Sequence, residues 1–265
     1  MAKDIRDAVR EVCLSLPSAV EVKSHGSPDF RIEGGKTFAT FVINHHGDGR
    51  IALWVPAPPG AQSLYTDAEP DHYFVPPYVG PRGWLGIHLD KGLDWGRIEA
   101  HVREAFVLVA PKALARDLPP PLEIDPPTKT LDEAVFDPLA TKHAKGVLAK
   151  LAKICKKFPE VTEGKQFGQP VWKAGKKVFV SANRYNGRMK LQFWVGPDLQ
   201  DMLTMDKRYE VPPYMGHNGW ISLDVEKSVD WEEVERLLIG SYRHFALKRM
   251  LAALALAPRT SANDR

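Results

Sequence analysis

The chain has 265 residues, of which 44% are hydrophobic and 26% are charged. This composition is typical of globular domains and excludes a largely disordered chain, a collagen-like repeat and a coiled coil, while the length favours two domains. No run of about 18 apolar residues occurs, and charged side chains interrupt residues 1–16, so we expect a soluble cytoplasmic protein without a membrane segment.

The net charge of +3 is unevenly distributed along the chain. Residues 1–118 carry 13 basic and 15 acidic side chains, a net charge of −2, and residues 119–140 carry 1 and 5, a net charge of −4. Residues 141–265 carry 22 basic and 13 acidic side chains, a net charge of +9. Such an asymmetry predicts an anionic partner for the last segment.

The first half of the chain predicts a helix, a set of antiparallel strands and a closing helix. The opening amphipathic helix should end before Pro17. Strands joined by glycine-containing turns should follow at 29–32, 36–43 and 50–55. A short helix near 62–65, a last strand at Trp84 and a long closing helix complete the unit. This order of elements is typical of the α+β class.

A proline-rich acidic segment at 119–140 separates the two halves of the chain. Its composition favours a semi-rigid, extended linker. We therefore predict a first domain at 1–118, a second and basic domain at 141–257, and a flexible tail at 258–265. In the second domain the elements recur in the same order, with strands at 171–173, 177–183 and 188–195 and a short helix at 198–204.

The two halves also repeat each other residue by residue. Between 73–95 and 209–231, 11 of the 23 aligned positions are identical, whereas average composition gives about one in twenty by chance. Both copies contain the motif Pro-Pro-Tyr-x-Gly-x-x-Gly-Trp. Its aromatic residues are Tyr78 and Trp84 in the first copy, and Tyr214 and Trp220 in the second. A rigid loop of this kind more often packs into the fold. The alternative is a ligand-binding or protein-binding site at these four residues.

This loop and the order of elements resemble the MmcQ/YjbR family. The likeness extends over nearly all of both halves. It includes Leu16-Pro17 and Phe158-Pro159, the segments 25–28 and 167–170, and Gly83-Trp84 and Gly219-Trp220. The resemblance implies an α+β fold of two tandem frataxin-like sandwiches, each built from a helix, an antiparallel sheet and a helix. It also implies DNA binding.

Motifs for enzyme chemistry are missing from the sequence. The Gly-Lys pairs at 35–36 and 175–176 lie in predicted hairpins, whereas a phosphate-binding loop opens a helix. No Gly-x-Ser-x-Gly elbow occurs. Cys13 and Cys155 are too few for a thiolate metal site, and we expect both to be buried thiols. The sequence therefore predicts no catalytic residue, no metal site and no cofactor.

The first helix of the basic half carries lysines on a single face, which we call the lysine ridge. Its members are Lys142, Lys145, Lys150, Lys153, Lys156 and Lys157. At about 100° per residue they lie within an arc of roughly 140°, opposite the apolar stripe. A solvated helix face accounts for this pattern, and a phosphate-binding surface is the alternative.

The strand at 188–195 adds a second pattern. If Met189 and Leu191 face the core, then Arg188, Lys190 and Trp194 point away from it. A tryptophan between cations on an open sheet face would stack a base while the cations hold phosphate. The alternative is that two copies or two chains bury such faces against each other.

Together these patterns predict a non-enzymatic binding protein for DNA or another polyanion. The predicted contact residues are Lys150, Lys153, Lys156, Lys157, Arg188, Lys190 and Trp194. The alternative function is a protein-interaction or small-ligand module that uses the aromatic loop residues Tyr78, Trp84, Tyr214 and Trp220.

Overall fold

The computed structural model describes residues 3–24, 26–185 and 187–256. His25 and the predicted tail at 258–265 lie outside the described residues. The chain forms two compact units, Met1–Phe136 and Asp137–Arg265. Residues 119–136 of the predicted linker therefore belong to the first unit.

Hydrogen bonds attach this segment to the first unit. Arg103 donates to the carbonyl oxygens of Pro119, at 2.8 Å, and Pro120, at 3.1 Å. The carbonyl of Lys3 accepts from the amides of Thr128 and Lys129. The proline-rich segment thus follows the surface of the first unit over most of its length.

The first unit consists of one antiparallel sheet with helices on one face. Its elements are α1 (Ile5–Leu14), β1 (Ala19–Ser24), β2 (Ser27–Ile32), β3 (Thr37–Ile43), β4 (Ile51–Pro56), α2 (Ala61–Ala68), β5 (Tyr73–Phe74), β6 (Trp84–His88), α3 (Trp95–Val109), α4 (Lys112–Arg116) and α5 (Glu133–Phe136). The strand order is β1-β2-β3-β4-β6-β5, and every neighbouring pair is antiparallel.

The second unit repeats this architecture. Its elements are α6 (Lys142–Cys155), β7 (Val161–Gln166), β8 (Gln169–Ala174), β9 (Lys177–Tyr185), β10 (Arg188–Trp194), α7 (Pro197–Leu203), β11 (Tyr209–Glu210), β12 (Trp220–Asp224), α8 (Trp231–Phe245) and α9 (Lys248–Leu256). The strand order β11-β12-β10-β9-β8-β7 is the equivalent of the order in the first unit. The predicted α+β fold of two tandem copies is confirmed.

Each unit has its own apolar core between its sheet and its helices. In the first, Phe38 of β3 meets Phe106 of α3 edge to face, with ring centroids 5.3 Å apart. In the second, Phe158 stacks on Tyr242 of α8 at 4.9 Å. One cysteine lies in each core, both are fully buried and free, and burial raises the pKa of both thiols.

The edge strands β1 and β7 were not predicted from the sequence. Each pairs with a single neighbour, β2 or β8, and each leaves much of its surface exposed. β7 lacks the hydrophobic alternation that identifies a strand, whereas in β1 the alternation covers only Val20 to Lys23 and was too short to be recognised.

Candidate nucleic-acid interface

The lysine ridge lies on α6, the first helix of the second unit. The helix begins after Thr141, whose hydroxyl accepts a hydrogen bond from the amide of Ala144. Its apolar face is buried in the core through Ala144, Val147, Leu151, Ile154 and Cys155. The structure places all six lysines of the ridge on the exposed side. The helix ends at Cys155, earlier than predicted, so Lys156 caps it and Lys157 follows it.

Most of the ridge has no counter-charge. Among the residues that the structure describes, no carboxylate pairs with Lys142, Lys150, Lys153, Lys156 or Lys157. Like charges three or four residues apart on a helix, such as Lys150 and Lys153, destabilise it by about 0.2–0.5 kcal/mol per pair. An anion bound along the ridge would remove this repulsion.

The equivalent helix of the first unit, α1, has its charges neutralised. Arg6 pairs with Asp4 at 2.6 Å, and Arg10 pairs with Glu21 of β1 at 2.8 Å. The hydrogen bond from Arg10 holds the pKa of Glu21 below its ordinary value. Among the described residues, α6 therefore differs from α1 in carrying five cations without an ion-pair partner, although the two units share one fold.

The structure corrects the prediction of an open cationic face on β10. Lys190 points away from the core but is only 5% exposed, because its ammonium forms an ion pair with Glu210 of β11. A buried ammonium needs such a partner. Arg188 remains about half exposed, although it pairs with Asp224 of β12 at 2.5 Å.

Trp194, the third predicted contact residue on β10, is half-buried and has one ring face occupied. Its indole stacks on His244 of α8, with ring centroids 3.4 Å apart, and its Nε1 donates to the carbonyl of Asn218 at 2.9 Å. The equivalent residue of the first unit, Trp54, is 5% exposed, and His45 packs edge-on against it at 4.9 Å. Burial therefore prevents Trp54 from stacking on a base, and His244 occupies one of the two ring faces that Trp194 could offer.

A groove beside the lysine ridge was not predicted. It has a volume of about 660 Å³ and lies between α6 and the start of α8. Lys142, Gly146 and Lys150 line its α6 side, and Trp231 lines the other. The ammonium of Lys150 lies 4.6 Å from the centroid of the Trp231 ring. We call this feature the Trp231 groove. The glycine inside a lysine-rich helix was the sequence signal that could have revealed it.

In the shared aromatic loop the tryptophans pack into the fold, whereas the tyrosines are exposed to solvent. Trp220 is 8% exposed and Trp84 is half-buried, whereas Tyr78 is 64% and Tyr214 81% exposed. The expectation that the loop packs into the fold is therefore wrong for the two tyrosines. Both adopt left-handed backbone conformations, with φ of 65° and 68°, which are strained for a residue with a Cβ.

A glutamine that the sequence analysis missed supports this loop in each unit. In the first, the Nε2 of Gln62 on α2 donates to the carbonyl oxygens of Gly80, at 2.9 Å, and Trp84, at 2.5 Å. Gln200 on α7 makes the equivalent two hydrogen bonds in the second unit. These bonds hold the middle and the end of the motif in the same arrangement in each unit.

The described residues contain neither a metal-binding cluster nor a membrane-spanning helix. No cluster of three His, Cys, Asp or Glu side chains in the described part of the chain is arranged to hold a metal ion. Among the described helices, none combines the length and the apolar character needed to cross a membrane.

Comparison with known proteins agrees with the repeat. Among solved structures, the chain is similar to the Deinococcus radiodurans protein DR2400, which carries a DUF419 domain, with 20% identity and a TM-score of 0.37 over 46% of this chain and 94% of that one. No curated protein matches the sequence. The YjbR family model matches residues 14–108 and again residues 156–244. Because these matches cover well over half of the sequence, the chain belongs to the YjbR family and contains two tandem copies of its domain.

Proposed function

We propose that this protein is a non-enzymatic, cytoplasmic nucleic-acid-binding protein that contacts phosphate through α6. The observation that carries this proposal is a set of five exposed lysines along α6 and its C-terminal end for which the described part of the chain offers no carboxylate partner: Lys142, Lys150, Lys153, Lys156 and Lys157. On β10, Arg188 is half exposed but paired with Asp224, and Lys190 is paired with Glu210, so the proposal rests on the lysines of α6. The two reduced, buried cysteines agree with a cytoplasmic location.

The chemistry of the ridge favours binding that is independent of sequence. Lysine ammonium groups act as mobile point charges, whereas reading a base edge in the major groove requires planar, bidentate side chains such as arginine, asparagine or glutamine. The exposed face of α6 carries lysine as its charged residue type. We therefore expect similar affinities for DNA duplexes of different sequence and equal length.

Salt dependence tests the proposal directly. Five unpartnered lysines that each neutralise one phosphate give a slope of log affinity against log salt of about −4 to −5 on duplex DNA. The measurement is fluorescence anisotropy with a 20-base-pair duplex at several salt concentrations. A flat salt dependence, or no binding at low salt, would contradict the proposal.

A second candidate function follows from the exposed tyrosines of the shared loop. Tyr78 and Tyr214 keep a strained backbone and a solvent-exposed ring in both units, and such strain often accompanies a binding role. In this alternative the loops bind a protein or a small ligand. Substituting both tyrosines by alanine separates the two functions, because DNA binding through α6 should then persist.

A further inference from the structure

We infer that the Trp231 groove binds a nucleotide of a single strand, with the base on the indole and the flanking phosphates at Lys142 and Lys150. This inference rests on the proposed function and extends it, because it adds a preference for single strands over duplex. The site includes Gly146 and Trp231, which line the groove but do not belong to the lysine ridge.

The α6 side of the groove has two cations separated by a gap. Lys142, Gly146 and Lys150 follow one another at intervals of four residues and so lie on nearly the same helix face, about 12 Å from end to end. A Cβ added to Gly146 would meet no atom within 4 Å. The missing side chain therefore leaves an open space between two positive charges, in a shallow groove of about 660 Å³ that is open to solvent.

The opposite side of the groove offers an aromatic face. Trp231 is half-buried, and a flexible lysine side chain lies over its ring, with the Lys150 ammonium 4.6 Å from the centroid. Such a side chain can move aside, whereas packed apolar residues cannot. When the ammonium turns towards a phosphate, a base can take its place on the indole, and base–aromatic stacking typically changes affinity about 10-fold or more per base.

The floor of the groove is held in a fixed arrangement. His143 of α6 makes a 2.7 Å hydrogen bond between its Nε2 and the carbonyl oxygen of Val225, the residue that follows β12. This bond joins the first turn of α6 to the segment that leads into α8. The backbone of α6 is thus held next to this segment, while the Lys150 side chain remains free to move.

The lysines and the glycine that line the groove are not repeated in the described part of the first unit. Trp95, the equivalent of Trp231, is 5% exposed, and α1 begins at Ile5, the equivalent of Val147. The turn of α6 that carries Lys142 and Gly146 therefore has no counterpart in α1. The groove and the lysines without ion-pair partners occur together in the second unit. This favours a single ligand that contacts the groove and the lysines at the same time.

A single strand fits this site better than a duplex. In a duplex each base is paired and stacked between its neighbours, so placing it on Trp231 would first require unpairing it. A single strand presents its bases at much lower cost, while its phosphates still reach the lysines. The ridge alone, by contrast, attracts both forms by their charge.

The test compares two glycine substitutions of the full chain. Gly146→Leu fills the groove without changing any charge, and Gly240→Leu makes the same change at an exposed site on α8 where an added Cβ also meets nothing within 4 Å. Affinities for a 12-nucleotide oligothymidine and for a 12-base-pair duplex are measured by anisotropy at one salt concentration.

We expect the unsubstituted protein to prefer the single strand by about 10-fold or more. Gly146→Leu should remove that preference and leave duplex affinity within about twofold, whereas Gly240→Leu should change neither affinity.

The outcomes separate the two proposals. Equal affinity for strand and duplex, with no effect of Gly146→Leu, would overturn the groove site and leave the proposed function standing. Absence of binding to either form at low salt would overturn both. Thymidine monophosphate is the third ligand: if it displaces the oligonucleotide at equimolar concentration, the groove is a site for free nucleotides and the strand inference is wrong.

Discussion

Arg97 and Glu233 occupy equivalent positions in the first turn of α3 and α8, and each binds a repeated tyrosine hydroxyl with opposite charge. Arg97 donates to the hydroxyl of Tyr73 at 3.1 Å, whereas Glu233 accepts from the hydroxyl of Tyr209 at 2.7 Å. The two copies thus keep the tyrosine and exchange the charge on the helix.

The partners of these two residues exchange charge as well. Arg97 pairs with Glu69 at 2.8 Å, and Glu233 pairs with Arg208 at 2.7 Å. The partners come from different positions, since Glu69 ends α2 four residues before Tyr73 and Arg208 directly precedes Tyr209. Since the same fold accommodates either polarity, an exchange of charges within the first unit should be tolerated.

We expect Arg97→Glu to destabilise the first unit and the double substitution Arg97→Glu with Glu69→Arg to recover most of the loss. The single change places two carboxylates against each other, while the double change reproduces the polarity of the second unit. Because both side chains are partly exposed, the fall in melting temperature should be a few degrees. A double-mutant cycle by thermal unfolding measures the coupling, and no recovery in the double variant would contradict the prediction.

Stability of the first unit should fall below pH 6.5 because of His101. Its Nε2 lies 2.9 Å from the Tyr73 hydroxyl, whose oxygen accepts from Arg97. Burial, and then the nearby Arg97, lower the pKa of His101 to about 4. The unfolded chain, with a histidine pKa of about 6.5, binds the proton first, so the free energy of unfolding falls by up to roughly 3 kcal/mol between pH 6.5 and 4.

Urea denaturation at several pH values checks this expectation. The control is His101→Gln, which retains a hydrogen-bonding side chain but cannot titrate in this range. Its unfolding free energy should change less between pH 6.5 and 4 than that of the unsubstituted chain. Equal slopes for the two proteins would show that another group is responsible.

The repeat and the helix face could be predicted because both are periodic in sequence. Identity at a constant offset identified two copies of one unit, and a spacing of 3.6 residues placed Lys153 and Lys157 opposite buried residues such as Leu151. These signals depend only on residues that are close in the chain or aligned between copies.

The state of Lys190 could not be predicted because it depends on pairing between distant strands. Alternation along β10 shows which face a residue is on, but the partner Glu210 lies on β11, two positions away in the sheet. The Trp231 groove was missed for a similar reason, since its two sides come from helices about eighty residues apart in the chain. Hydrophobic periodicity carries no information on such contacts.

Equivalent glycines in the shared loop should respond differently to alanine. Gly83 and Gly219 have nearly the same φ, 81° and 79°, so a Cβ adds conformational strain of about 1–2 kcal/mol at each position. At Gly83 the added Cβ meets nothing within 4 Å, whereas at Gly219 it would lie 2.8 Å from the Cα of Gly196. Gly219→Ala should therefore cost at least about 1 kcal/mol more than Gly83→Ala.

Equilibrium urea unfolding of the two alanine variants measures this difference. Trp220→Ala gives a reference for severe damage to the loop, since loss of a buried indole costs about 3–5 kcal/mol. If both glycine variants lose the same stability, the close approach of Gly219 to Gly196 does not constrain the loop.

Reversing charge on the ridge should abolish DNA binding without unfolding the protein. The variant replaces Lys150, Lys153, Lys156 and Lys157 by glutamate, and all four side chains are exposed, so the unfolding free energy should change little. The matched control makes the same change in net charge on exposed lysines of the first unit, Lys36, Lys91, Lys112 and Lys129. Only the ridge variant should lose binding to the 20-base-pair duplex at low salt, measured by fluorescence anisotropy, because the ridge lysines form one continuous surface and the control lysines do not.

If the two variants weaken binding equally, the interaction follows net charge and α6 is not the contact surface. If the ridge variant binds normally while Tyr78→Ala with Tyr214→Ala does not, the shared loop is the binding site.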